Sequence, residues 1–359
     1  MHIYRMRAAQ PDAYRPATIM RHFLKHKILL ALLPAAAFAF GLATPTVVQA
    51  AQPAAQHTQA KKSQHARKVV HRRPVVRHAH RSHAGAAHKV SYDNRDSAAR
   101  RSIQSLAAHA SLKSEVAYVQ DLENSTVLYN KNSDEVRPIA SISKLMTALI
   151  VTESGQSMQD MLTITEADVD HLRHSRSRLS VGARLSRADM LHLALMSSEN
   201  RAAHALSRYY PGGERAFVRA MNDKARALGM RQTHFLEPTG LSSENVSTPR
   251  DLVKLLVAAS RQPLIHRYTT DDHYEVDIGR GRRLAYNNTN GLVRNHKWDI
   301  QISKTGFINE SGECLVMLTR IDGREVAIVL LNSVGRYSRV GDAMRVRNLV
   351  ERETNLAMM

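Results

Sequence analysis

Between residues 102 and 353, hydrophobic and polar positions change repeatedly between the two-residue spacing of strands and the longer spacing of helices. Strands are predicted over 116–121, 126–129, 299–304, 314–321 and 325–331, and helices over 142–153, 189–197, 201–209, 214–228 and 340–353. Asp322-Gly323 predicts a tight hairpin between the last two strands. This order predicts an α/β fold of the α+β kind. Its antiparallel sheet pairs the first strands of the body with the last, helices flank the sheet, and a mainly helical subdomain is inserted between the two sets of strands. The first helix is expected to bury one face, made of Leu145, Ala148, Leu149 and Thr152.

The first 50 residues have the pattern of an export signal. A basic stretch that ends at Lys27 precedes an apolar run over 28–43, and a small-residue cleavage site ends at Ala50. The run is shorter than the roughly 20 residues of a membrane span, so we predict a signal peptide over 1–50, with Met20 as an alternative start. An uncleaved anchor is the alternative interpretation. Either one delivers the rest of the chain outside the cytoplasm, which predicts a periplasmic protein.

Much of the formal charge of +19 lies near the N-terminus. Residues 51–101 carry 12 lysines and arginines against Asp93 and Asp96, a balance of +10, together with seven histidines. With few large apolar side chains, this stretch predicts a disordered basic linker over 51–105, followed by a folded body over 106–359. The linker is either a solvated spacer or an electrostatic tether to an anionic envelope surface. Metal capture lacks a fixed histidine spacing, and the compartment and scarce aromatic residues argue against nucleic acid.

Three short motifs in the body carry candidate chemistry. Ser141 and Lys144 form Ser-x-x-Lys at the start of a predicted helix, a spacing that brings the lysine amine to the serine hydroxyl on one face. Ser198-Glu199-Asn200 lies between two predicted helices, and Lys304-Thr305-Gly306 ends a predicted strand. A lysine whose pKa is lowered by burial near other cations can take the proton of a serine nucleophile. In this order the motifs are typical of serine acyl-transfer enzymes.

Each motif also has a purely structural interpretation. Taken alone, Ser141 fits a helix N-cap, Asn200 fits a cap for the helix that follows, and Lys304 fits a solvated strand end. The three motifs together favour the catalytic interpretation. Cys314 is the single cysteine, which excludes an intrachain disulfide, and we predict that it is a small buried apolar side chain.

The body resembles the low-molecular-mass penicillin-binding proteins of peptidase family S11, the D-alanyl-D-alanine peptidases, over residues 112–355. The resemblance rests on the segments at 138–147, 195–203, 237–241, 288–290 and 304–312. It implies the transpeptidase fold shared with β-lactamases, and it is strongest with the endopeptidase group of the penicillin-binding protein 7 type. The carboxypeptidase relatives carry a β-rich second domain, for which we expect no room in the 53 residues after Gly306. The catalytic domain is therefore expected to span 106–359.

Carried over residue by residue, the resemblance implies catalytic roles for three side chains and a substrate-binding role for a fourth, Asn200. Ser141 forms the acyl-enzyme and Lys144 is its general base. Ser198 relays a proton to the leaving amine, and Asn200 orients both the Lys144 network and the substrate peptide.

The resemblance also implies a substrate-binding strand. Lys304 adds positive charge that lowers the pKa of Lys144 and binds substrate, and Thr305 hydrogen-bonds a substrate carboxylate or carbonyl. Gly306 allows close backbone approach. The backbone N–H groups of Ser141 and Phe307 form the oxyanion hole.

The implied reaction is hydrolysis of D-alanyl-diaminopimelate cross-links between peptidoglycan stem peptides, with β-lactams as covalent inhibitors and with no metal or organic cofactor. A D-alanyl-D-alanine carboxypeptidase is one alternative, and a non-catalytic cell-wall-binding protein is another. A β-lactamase is less well supported, because between Ser141 and Ser198 no glutamate has an asparagine four residues later.

Overall fold

The structure describes most of the predicted body. It is a computed structural model that describes residues 112–279, 281–335 and 337–358. The predicted signal peptide, the basic linker and the boundary near residue 105 lie outside the described residues and stay predictions. Within those ranges, no helix combines the length and the apolar character needed to cross a bilayer.

The elements of the described residues follow the predicted order. The strands are β1 Ser114–Asp121, β2 Val127–Lys131, β3 Arg137–Pro138, β4 Met161–Thr163, β5 Arg184–Ser186, β6 Val246–Ser247, β7 His273–Asp277, β8 Arg283–Asn287, β9 Asp299–Ile308, β10 Gly312–Ile321 and β11 Arg324–Ser333. The α-helices are α1 Lys144–Glu153, α2 Arg187–Met196, α3 Asn200–Arg208, α4 Gly213–Ala227, α5 Pro249–Ser260, α6 Pro263–Thr270, α7 Gly291–Arg294 and α8 Ser338–Met358. Two short 3₁₀ turns span Ala140–Ser143 and Glu166–Asp168.

The central sheet has five antiparallel strands in the order β2-β1-β11-β10-β9. The first strand lies beside the last, with Ser114 opposite Ser333, which confirms the predicted pairing of the two ends of the body. Asp322 and Gly323 join β10 to β11 with φ angles of 49° and 81°. Two left-handed residues are the conformation of a tight hairpin turn, so that prediction is also confirmed.

The sheet is buried on both faces. Along β10, Leu315 and Met317 face a core shared with α8, whereas Val316 and Leu318 face the larger core under the other helices. Successive side chains of a strand point to opposite faces, so a run that is apolar at every position fits a strand covered on both sides. Cys314 is fully buried and unpaired in this strand, as predicted.

Helix α1 differs from its prediction. The sequence predicts one buried face, yet residues 144–151 are all buried. The helix runs through the middle of the larger core and packs against α2, α3, α4 and α5. A helix surrounded on all sides by other elements has no solvent face to mark with polar residues.

Several elements lie outside the predicted set. Helices α5 and α6 and the small sheets β3-β6, β4-β5 and β7-β8 were not expected, so the insert is less purely helical than predicted. Strand β9 also continues past Lys304-Thr305-Gly306 to Ile308, so the expectation that this motif ends the strand is wrong. The motif lies instead within the edge strand of the sheet, where one side of the backbone is open.

Candidate active site

The Ser-x-x-Lys motif lies where a 3₁₀ turn enters α1. Ala140 has a left-handed φ of 48°, and its carbonyl accepts a hydrogen bond from Ser143 Oγ at 2.8 Å. In a 3₁₀ turn, residues three apart stand directly in line. Lys144 Nζ accordingly lies 2.8 Å from Ser141 Oγ. The predicted contact between the two side chains is present.

Lys144 is buried beneath the site. Its side chain is 1% exposed, and Nζ also lies 2.8 Å from Asn200 Oδ1 and 2.6 Å from the carbonyl O of Thr239. Burial lowers the pKa of Lys144 to about 8, although the carboxylates of Glu237 and Glu199 act in the opposite direction. A neutral lysine has two N–H bonds, which these two acceptors satisfy, so its lone pair is left to face the serine hydroxyl.

Ser198 lies between α2 and α3 with a left-handed φ of 62°. Its Oγ accepts a hydrogen bond from Lys304 Nζ at 3.0 Å, and Nζ also donates to the carbonyl O of Thr305 at 3.0 Å. Lys304 is 1% exposed, and burial, followed by the charges of Lys144 and Arg339, holds its pKa well below the ordinary value. Burial also lowers the pKa of Lys144, against the charges of Glu237 and Glu199, which raise it. The expected lowering by the charge of Lys304 stays a prediction.

Asn200 connects α3 to Lys144. Its Oδ1 faces Lys144 Nζ, and its Nδ2 donates to Ser175 Oγ at 3.0 Å. The helix cap is the preceding residue, Glu199, whose side chain accepts from the N–H of Arg201. Asn200 is therefore not the cap of this helix, and its amide is directed into the cleft.

Two glycines allow backbone segments to meet beside Ser141. A Cβ on Gly306 would lie 2.9 Å from the carbonyl O of Ile139 and 3.2 Å from the Ser141 nitrogen. A Cβ on Gly240, whose φ is +82°, would lie 1.9 Å from the carbonyl O of Ala140. Only glycine fits either position without moving the Ser141 backbone.

The predicted site residues converge on one cleft of about 670 Å³. Its lining includes Ser141, Ser198, Asn200, Thr305, Gly306 and Phe307. The side chain of Phe307 is 57% exposed, and Thr305 Oγ1 donates to Thr289 Oγ1 at 2.6 Å. Lys144 and Lys304 lie behind this lining and contact it through the hydroxyl groups of Ser141 and Ser198. The structure thus brings together every residue that the motifs singled out.

Other site residues were missed. The carbonyl of Thr239 and the hydroxyl of Ser175 complete the lysine and asparagine contacts, and Arg173 and Arg339 both line the cleft. Thr239 lies in a segment that carried the family resemblance, which is a usable signal. The other three stand outside any motif and reach the site only through folding of the loops and of α8.

Metal binding has no support in the part of the chain that the structure describes. No group of three or more His, Cys, Asp or Glu side chains there is arranged to hold an ion. The expectation of a cofactor-free reaction stays a prediction.

A serine nucleophile in contact with a buried lysine of lowered pKa, beside a second serine–lysine pair, defines a serine acyl-transfer enzyme. The family model for peptidase S11, described as D-alanyl-D-alanine carboxypeptidase, matches residues 103–335. The chain belongs to this family of serine peptidases.

Named relatives agree with the family. The chain is 48% identical to the D-alanyl-D-alanine endopeptidase of Pseudomonas aeruginosa over 67% of its own length and 78% of the relative. It is 45% identical to the D-alanyl-D-alanine endopeptidase of Escherichia coli over 68% and 79%. The Streptomyces K15 DD-transpeptidase structure superposes with a TM-score of 0.62 at 28% identity, covering 67% of this chain and 97% of the other. These matches support the predicted transpeptidase fold.

Proposed function

We propose that this protein is a serine endopeptidase that hydrolyses D-alanyl-diaminopimelate cross-links in peptidoglycan, a reaction that remodels the cell wall. The observation that carries the proposal is the 2.8 Å contact between Ser141 Oγ and the buried Nζ of Lys144. The choice of cross-links is supported by the relatives at 45–48% identity, which are named endopeptidases. Relatives at 27–30% identity are named carboxypeptidases.

Acylation begins at the Ser-x-x-Lys pair. Neutral Lys144 accepts the hydroxyl proton as Ser141 Oγ forms a bond to the carbonyl carbon of D-alanine. The lysine then carries the positive charge, which Asn200 Oδ1 and the Thr239 carbonyl stabilise from 2.8 Å and 2.6 Å. These contacts hold the amine in place throughout the step.

Departure of the leaving amine requires a proton. We assign its delivery to Ser198, whose hydroxyl is held by Lys304 at 3.0 Å within the same cleft. The bond between the D-alanine carbonyl carbon and the diaminopimelate nitrogen breaks as the nitrogen gains this proton. The left-handed backbone of Ser198 directs its hydroxyl toward the cleft at some conformational cost, which is common at functional positions.

Substrate is held along the open edge of β9. Thr305 is assigned to the carboxylate beside the leaving nitrogen, and Lys304 supplies positive charge beneath it. The N–H groups of Ser141 and Phe307 are assigned to the oxyanion. Support comes from Gly306, which brings β9 against the Ser141 nitrogen, and preorganised N–H groups of this kind stabilise a developing negative charge.

Transfer of the proton from Lys144 to Ser198 within the cleft restores the neutral amine and the serine hydroxyl. Water then attacks the ester on Ser141 and gives one proton to Lys144, which returns it to Ser141 Oγ as the ester C–O bond breaks. The residues present account for each proton transfer, so the proposal includes no metal or organic cofactor. A β-lactam presents a strained amide to the same serine and is expected to remain as a stable ester, which makes such antibiotics covalent inhibitors.

The setting is proposed to be the periplasm, after removal of the signal peptide. Residues 51–101 of the basic linker are proposed to hold the enzyme near anionic polymers or lipids of the envelope. No nucleic-acid partner is proposed.

The test incubates purified protein, and a Ser141→Ala variant, with cross-linked muropeptide dimers and with monomeric pentapeptides, and follows both by mass spectrometry. Conversion of dimers to monomers only by the intact serine is the expected result. Loss of one alanine from pentapeptides with dimers intact would instead identify a carboxypeptidase. Absence of both reactions, with wall binding retained in both proteins, would favour a binding protein.

A further inference from the structure

One wall of the cleft is a loop folded around a single carboxylate. Asp170 accepts N–H bonds from Leu172 at 2.9 Å, from Arg173 at 3.0 Å and from Ser175 at 2.8 Å. Arg173 and Ser175 both line the cleft. Since Ser175 also contacts Asn200, the loop is held in a fixed position relative to the catalytic lysine.

Arg173 links this loop to two other segments of the cleft rim. Its Nε donates to the carbonyl O of Leu241, and its Nη2 lies 2.9 Å from Oε2 of Glu310. Glu310 stands in the turn between β9 and β10. Glu310 is three positions after Phe307, so its Cα lies at most about 11 Å from the Cα of Phe307, whose N–H is assigned to the oxyanion hole.

This ion pair is more open than that of Arg339, the other guanidinium of the cleft lining. Arg339 pairs with Glu313, and the two side chains are 15% and 14% exposed. The Arg173 and Glu310 side chains are 23% and 46% exposed. Water screens a partly exposed pair, so the pair gains little over its separate ions. Both groups are therefore available to a charged ligand.

The direction of the substrate follows from the proposed function. If Thr305 holds the carboxylate of the leaving group, the donor stem extends the opposite way, past Phe307 toward Glu310. In that stem the residue before D-alanine is diaminopimelate. Its side chain ends in a carbon that bears both an ammonium and a carboxylate, a pair of opposite charges.

We propose that Arg173 and Glu310 form a subsite for this zwitterionic end, in which Arg173 binds the carboxylate and Glu310 binds the ammonium. The proposal rests on the proposed function and adds its donor specificity. Lysine at the same stem position offers the ammonium alone. Arg173 therefore sets a preference for diaminopimelate over lysine, whereas Glu310 serves both.

The test measures kcat/KM for two cross-linked stem-peptide dimers whose donor stems differ only in diaminopimelate or lysine. We expect a preference for diaminopimelate of about tenfold, the effect of one hydrogen bond to a charged group. Arg173→Gln removes the preference by lowering the diaminopimelate value alone, and Glu310→Gln lowers both values by a similar factor. Arg176→Gln removes the same charge from an exposed position of the same loop and keeps the preference.

Two further measurements separate the possible failures. Penicillin acylation of Ser141, followed by mass spectrometry, reports whether each variant retains a competent nucleophile. A third dimer, in which the side-chain carboxylate of the donor diaminopimelate is amidated, repeats the Arg173 test on the unaltered protein. The kcat/KM for this dimer should fall to that for the lysine dimer. Equal cleavage of all three dimers by the wild-type protein overturns the subsite. Penicillin acylation without cleavage of any dimer overturns the proposed function itself.

Discussion

The pKa of Lys144 leads to a pH profile that differs from that of an ordinary lysine. Burial lowers this pKa from 10.5 to about 8. At pH 7 a group with a pKa near 8 is about one-tenth neutral, whereas an ordinary lysine is neutral in only about one molecule in 3,000. Because only the neutral amine accepts the serine proton, the lowered pKa makes the reactive form about 300 times more abundant.

The second-order rate of Ser141 acylation by a penicillin reports on this ionisation in the free enzyme. We expect the rate to rise about tenfold per pH unit up to about pH 8 and then to level off. Glu199→Gln keeps an acceptor for the helix cap but removes a charge that raises the pKa of Lys144, so the midpoint should move to lower pH. The Ser141→Ala variant measures the background loss of the antibiotic. A midpoint near 10.5, or a rate that does not change with pH, would refute the reasoning.

Two other predictions concern packing and stability. Gly240→Ala should slow acylation at least tenfold and lower the free energy of unfolding by about 2 kcal/mol, because its methyl group meets the carbonyl O of Ala140. Gly182→Ala, which has a similar φ and open space, is the control for backbone strain alone, and equal effects of the two changes would contradict the clash. Burial lowers the pKa of His204, but the hydrogen bond to Asp168 helps to raise it from 6.5 to about 9. The contribution of this bond to the stability of the fold is therefore complete below about pH 6.5 and is lost as the pH rises through 9. Melting temperatures of the wild type and His204→Gln should therefore differ at about pH 6 and converge near pH 10, and a constant difference would count against this assignment.

The motif residues could be found from sequence because their spacing is short and local. Ser141 and Lys144 are three positions apart, and a single helical turn brings them together whatever surrounds it. The acceptors that complete the site are different. The Thr239 carbonyl belongs to the backbone, so the side chain of this residue does not point to it, and the only signal in the sequence is the family resemblance of the segment at 237–241. Arg173 reaches its position through a loop wrapped around Asp170, which leaves no periodic signal.

The errors in the fold have physical causes as well. Hydrophobic spacing predicts which positions avoid water, but it does not say how many neighbours surround a helix. The pattern of α1 therefore predicts one buried face, although residues 144–151 are all buried. Helix α5 begins at Thr248-Pro249, an N-cap followed by a proline at the first helical position, and the Thr248 side chain accepts from Asp251 N–H. That signal was present in the sequence and would have located the helix.

The pairing of the first strand with the last has a consequence for the newly synthesised chain. Ser114 donates to Asp342 across 228 residues at 2.7 Å, and β11 joins β1 to β10 and thus to the edge strand that carries Lys304. Without β11 and the start of α8, strands β1 and β9 belong to no common sheet. The cleft can therefore assemble only when nearly the whole body is present, wherever in the cell the chain folds. A chain cut short before β11 would keep Ser141 and Lys144 in its sequence but would lack the sheet that places Lys304 opposite Ser198.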